Sequence, residues 1–130
     1  MNRILLVICL VFLFEGCKKS QNPIPTGIVG KWELRLEVGG IAGMTTHFAP
    51  GNGNTLQLNA DNTYQAFWPG STVYHGTFQI IKNSITIGAN KFDGIYYDHN
   101  VTGEVIQLKG DTLTIGMDYD DGIATSYIRQ

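Results

Sequence analysis

The sequence predicts an all-β fold, an antiparallel up-and-down β-barrel of about eight strands. Three observations predict it. After Gly27, apolar residues recur with a period of two. The 130 residues include 16 glycines, a share that favours many turns over long helices. Beyond the N-terminal apolar run, no ten-residue stretch carries an apolar helical face. A meander of short strands must pair or hide its edges, and closure into a barrel removes them.

The elements follow in chain order. Trp32, Leu34, Leu36 and Val38 alternate with Glu33, Arg35 and Glu37, as in a half-buried antiparallel strand. Leu56 and Leu58 belong to a second strand, and Asp61-Asn62 to a tight turn. Tyr64, Ala66 and Trp68 share a face of the next strand, which Pro69-Gly70 ends. From Val73 to Ile81, Tyr74, Gly76, Phe78 and Ile80 point one way, and His75, Thr77 and Gln79 the other. Lys82-Asn83 reads as a turn before a strand through Ile85 and Ile87. Residues 90–97 are ambiguous, with a bend expected at Asp93-Gly94. Val101–Leu108 is a strand, Lys109-Gly110-Asp111 a turn, and Leu113, Ile115 and Met117 one face of the next strand. Asp120-Asp121-Gly122 is a hairpin turn before a closing strand, Ile123–Arg129.

The one long connection, Gly39 to Gly53, holds five glycines, a proline, and the apolar Ile41, Met44 and Phe48. Connections of this length are usually functional or disordered. A lid over the barrel mouth and a loosely ordered excursion are the two readings.

The N-terminus is an address. Arg3 precedes an eleven-residue apolar run, Ile4–Phe14, too short for the roughly 20 residues of a bilayer span but right for the core of a secretory signal. Phe14-Glu15-Gly16-Cys17 resembles the end of a bacterial lipoprotein signal. That resemblance implies a signal peptide over 1–16 and a diacylglycerol thioether on Cys17, with the lipid bilayer as partner. An uncleaved N-terminal anchor and a plain secreted product are the alternatives. Cys9 would leave with the signal, so no disulfide and no thiol nucleophile is expected in the mature chain. Residues 17–28 then form the lipidated cysteine and a flexible tether, rich in proline and small polar groups, and residues 29–130 the barrel domain.

Other chemistry finds little support. Nine basic against eleven acidic residues offer no excess positive charge for nucleic acid. His47, His75 and His99 lack zinc spacing. Asp118, Asp120 and Asp121 lack the run of ligands and the closing glutamate of a calcium loop. No serine sits in Gly-x-Ser-x-Gly. Glu104 and Asp93 are the carboxylates considered as an acid–base pair, without spacing that places them together. The chain is therefore expected to be no enzyme and to carry no cofactor or metal. Tyr64 and Trp68, with Tyr74 and with Met44 and Phe48 of the long connection, are the candidate ligand-binding residues: aromatics with few polar partners line apolar pockets and equally fill small barrels.

Gly30-Lys31-Trp32 at the start of the first strand resembles the lipocalin signature. The likeness is nearest to the small lipocalin-like domains of Bacteroidetes-type lipoproteins, through Asp61-Asn62-Thr63-Tyr64, Gly76-Thr77-Phe78, Asp111-Thr112-Leu113, and Asp121-Gly122 before Tyr127 and Arg129. It covers roughly residues 28–130. The resemblance implies that Trp32 closes one end of the barrel against Arg129, and that a small hydrophobic or amphipathic molecule binds inside. It also implies a lipid-anchored place in the cell envelope, on the periplasmic side of the outer membrane, since Lys18-Lys19 is unlike the acidic cluster that directs such lipoproteins to the cell surface, with the cell surface as the alternative. A non-catalytic structural or protein-interaction module with a filled core is the alternative.

Overall fold

The computed structural model describes residues 24–117 and 121–130. Among them there is no helix. The strands are β1 (Gly30–Gly39), β2 (Met44–His47), β3 (Thr55–Leu58), β4 (Thr63–Phe67), β5 (Tyr74–Ile87), β6 (Asn90–Tyr97), β7 (Glu104–Lys109), β8 (Thr112–Gly116) and β9 (Ile123–Arg129). Every pairing is antiparallel, neighbours follow chain order, and β9 returns to β1. The sheet is thus a closed eight-strand barrel, because β2 and β3 share one position. β2 pairs with Leu36–Gly39 and β3 with Gly30–Glu33.

That shared position corrects the reading of residues 39–53 as a lid. Gly40 and Gly43, both at positive φ, turn the chain, and β2 runs straight back along β1. The chain then loops out of the wall. Phe48 N–H donates to Arg35 C=O at 2.9 Å, and Leu34 N–H to Asn54 C=O at 2.9 Å, so two adjacent residues of β1 hold the two ends of the excursion. Glu33, only 5% exposed, pins it by accepting from Gly51 N–H at 2.9 Å. Asn52 Nδ2 donates to Leu34 C=O at 2.8 Å.

A second difference lies in β1. Trp32, Leu34, Leu36 and Val38 do not share one face, because the β1–β9 register shifts between Leu34 and Leu36. A bulge inserts one residue and reverses the alternation beyond it. Glu37, not Leu36, becomes the partner of Thr125.

The third concerns β5 and β6. Lys82-Asn83 is not a turn. β5 continues through it with a register shift between Ile81 and Ile85. Asn83 takes φ 52°, its N–H donates to Asp93 Oδ1 at 3.0 Å, and Ser84 Oγ donates to Ile81 C=O at 2.9 Å. Asp93-Gly94 is likewise strand rather than bend. Gly94 is glycine because Ser84 Oγ and the Tyr96 ring occupy the space of a side chain.

The core fills one end. Trp32, Leu58, Ile95 and Leu113 are fully buried, with Phe78, Ile80 and Ile106 around them. The stretch expected to be tether joins this core at its last residues. Ile28 is 3% exposed and Ile24 packs against the cluster. Trp32 Nε1 donates to Ile28 C=O at 2.9 Å, and Ile28 N–H to Pro25 C=O at 3.1 Å. An isoleucine at each end of Pro-Thr-Gly gives the segment apolar surface to bury, so residues 24–28 belong to the packed body. Cys17 and the expected signal lie outside the described residues.

Candidate functional site

Alternating hairpins sort the connections to two ends. The β3–β4, β5–β6 and β7–β8 turns lie at the filled end with Trp32. The β1–β2, β4–β5 and β6–β7 connections lie at the other. There the barrel holds a cavity of about 410 Å³. Its lower wall includes Leu56, Ala66 and Ile115; Trp68, just after β4, and Tyr74, the first residue of β5, line it above.

Trp68 and Tyr74 meet edge to face, with ring centroids 5.5 Å apart. Tyr64 meets Tyr97 in the same manner at 4.8 Å. Such T-shaped pairs set the positive edge of one ring against the negative face of the other. Of the residues expected from sequence, Tyr64, Trp68 and Tyr74 are brought together on this cavity. Met44 and Phe48 are not. Met44 stands 65% exposed opposite Gly39 at the tip of β2, and Phe48 is half-buried where the excursion leaves the wall.

Sequence reasoning missed the polar half of the lining. Asp98, Asn100, Glu104, Tyr97, Thr125 and Tyr127 also face the cavity. Asp98 follows β6 at φ 49° and folds its carboxylate back over Gly76, where a side-chain carbon would lie 2.0 Å from Oδ1. It accepts from Tyr64 Oη at 2.9 Å and from Thr77 N–H at 2.8 Å. The Thr77 bond, then the Tyr64 bond, hold the Asp98 carboxyl below the usual carboxylate range. The signal was available: Gly76 lies on the inner face, at a position where a strand gains little from glycine unless another group approaches.

Glu104 opens β7 opposite Ile95. Solvent reaches it through the open cavity, yet partial burial raises its carboxyl above the usual range. Burial also raises the Tyr97, Tyr127 and Tyr64 phenols, so all three stay neutral at physiological pH. Glu104 acts electrostatically on Tyr97 and Tyr127, and Asp98 on Tyr64. Tyrosines and carboxylates therefore interleave along this wall. Asp93 lines a separate opening beside β6 and β7, so it does not pair with Glu104 as acid and base.

His47, His75 and His99 are exposed, and no group of three or more His, Cys, Asp or Glu among the described residues could hold a metal ion. At the closed end the Arg129 guanidinium lies over the Trp32 ring, which is the closure expected from Gly30-Lys31-Trp32. Compared with known proteins, the chain matches no family model, no curated protein and no solved structure.

Proposed function

We propose that this chain is a lipid-anchored, lipocalin-like binding protein of the cell envelope that holds a small hydrophobic or amphipathic molecule in the open half of its barrel. The observation that carries this reading is the cavity itself. A barrel serving only as a compact support would fill both ends, whereas here packed side chains occupy one end and about 410 Å³ stands open above them. That volume lies within the usual range for small-molecule sites. Tyr64, Trp68 and Tyr74 supply aromatic wall, and Leu56, Ala66 and Ile115 supply apolar floor.

The anchor reading rests on the run ending at Cys17. The chain enters the barrel beside Trp32, so an acylated Cys17, seven residues before Ile24, would tether the closed end within about 25 Å of the bilayer. The mouth would then be the end farther from the attachment point. Intact-mass analysis of membrane-extracted protein tests the anchor: a mass beginning at Cys17 with added acyl groups supports it, and an unmodified chain beginning at Met1 removes it.

The binding reading is tested by fluorescence. The chain has two tryptophans, one fully buried and one, Trp68, 38% exposed on the cavity. A ligand should shift only the Trp68 emission, and Trp68→Phe should abolish the shift. No change with any member of a panel of small hydrophobes, together with a native mass free of bound molecules, would defeat it. One observation favours a second reading, a non-catalytic interaction module. Ile41 and Val101, both at the open end, are 92% and 97% exposed, and that apolar rim suits a protein surface as well as a ligand entrance.

A further inference from the structure

We infer that the cavity selects an organic cation, a small amphiphile whose ammonium group sits beside Glu104 and Asp98 and whose apolar body rests on Leu56, Ala66 and Ile115. This deepens the binding reading above and rests on it.

The charge of the lining carries the inference. Its ionisable carboxylates are Asp98 and Glu104, and none of its described residues is lysine, arginine or histidine. Among the described residues the ion pairs are Arg35 with Glu33 and Arg129 with Asp111, and neither cavity carboxylate belongs to one. The basic groups that act on Asp98 are His99 and His75, and no basic group acts on Glu104. The bulge in β1 adds to the same sign. It places Glu37 across from Thr125, a cavity residue, and Glu37 acts electrostatically on Tyr127. An anionic ligand would meet two carboxylates, with His99 and His75 as the basic groups acting on Asp98. A neutral one would leave both carboxylates without a countercharge.

The aromatic groups agree with the charge. Ring faces attract ammonium ions through their quadrupole, most strongly where water is displaced. Tyr97 and Tyr127 flank Glu104 in electrostatic reach, and Tyr64 is tied to Asp98. An ammonium placed there would have a carboxylate and a neutral phenol ring together. Partial burial raises the Glu104 carboxyl, so a bound cation would favour its ionised form, and the two would stabilise each other.

The test uses the full chain in nanodiscs of neutral phosphatidylcholine, with empty nanodiscs as the blank. Three probes of similar size are titrated and followed by Trp68 emission: benzyltrimethylammonium, benzyl alcohol and phenylacetate. The cation is expected to bind at least about tenfold tighter than the alcohol, a difference of one well-placed charge contact, and phenylacetate weakest. Glu104→Gln should bring the cation to within about threefold of the alcohol, since one carboxylate is gone. Asp98→Asn should reduce the same preference. Equal or tighter binding of the alcohol or phenylacetate would overturn the cation inference and leave the binding reading standing. So would a cation preference untouched in both variants. If these probes and the neutral hydrophobes all fail to bind, the binding reading falls and this inference with it.

Discussion

The guanidinium carbon of Arg129 lies 4.2 Å from the centre of the Trp32 ring, and the two residues face each other across β1 and β9. Arg129 also donates to Val29 C=O at 3.1 Å and to Gly27 C=O, joining the last strand to the segment before the first. Gly30 makes room for it: a side-chain carbon there would lie 2.5 Å from Nη1. Trp32→Ala should lower stability by about 3–5 kcal/mol, as for other buried tryptophans. Arg129→Ala should cost less, because part of its side chain is exposed. In a double-mutant cycle followed by urea unfolding, the pair should couple by about 0.5–2 kcal/mol. Gly30→Ala should weaken that coupling without touching either residue.

Much of this end was legible in the sequence. Period-two patterning located most of the strands, and Gly30-Lys31-Trp32 with Arg129 located the closure. The Asp61-Asn62 turn was equally plain. Asp61 Oδ1 accepts from Thr63 N–H at 3.1 Å, and Asn62 takes φ 66°, both local properties of those residue types. What was not legible depends on partners distant in the chain. The bulge that sets Glu37 across from Thr125 depends on register against β9, and the alternation of β1 alone gives no sign of it. The connection 39–53 reads equally as a lid or a loosely ordered excursion until β2 is seen paired with β1 and Glu33 holding Gly51. The acidic lining needs the β6–β7 connection folded back over Gly76, a contact between residues 22 positions apart.

Glu33 should matter more than a strand glutamate normally does. Its Oε2 lies 3.3 Å from Arg35 Nε, at an angle too poor for a hydrogen bond, so charge alone joins that pair, while Oε1 takes the Gly51 N–H. Glu33→Ala should cost about 1.5–3 kcal/mol, the range for a hydrogen bond to a charged group. Glu33→Gln keeps an acceptor for Gly51 and should cost less. Urea midpoints give the energies, and amide exchange at Gly51 should quicken in the alanine variant more than in the glutamine one.

Gly76→Ala should displace Asp98, since the added carbon falls on its carboxylate. A clash of this kind typically costs about 1–3 kcal/mol. Asp98→Asn separates the charge from the fit. The folded Asp98 carboxyl is held below its unfolded value, so its contribution is present above about pH 3.9 and is lost as pH falls through the folded value. Wild type should therefore exceed Asp98→Asn in urea midpoint at neutral pH, and the gap should close in acid. A gap independent of pH would mean that the asparagine perturbs packing rather than charge.

Glu104 predicts the opposite sign. Burial raises its folded carboxyl above the unfolded value, so the folded state favours the protonated form. The associated stability is fully present below about pH 4.3 and is lost as pH rises through the folded value. In the free protein, Glu104→Gln should thus be more stable than wild type at neutral pH and equal to it in strong acid. A carboxylate that lowers stability in an open cavity, with no ion-pair partner among the described residues, is the pattern expected of a binding group. Adding a saturating organic cation should narrow or reverse the difference at neutral pH, because wild type then has an ion to pair with and the glutamine variant does not. The check is a set of thermal melts of both proteins across pH 3–8, with and without benzyltrimethylammonium. A glutamine variant less stable than wild type at neutral pH without any ligand would show that Glu104 is held by the fold instead.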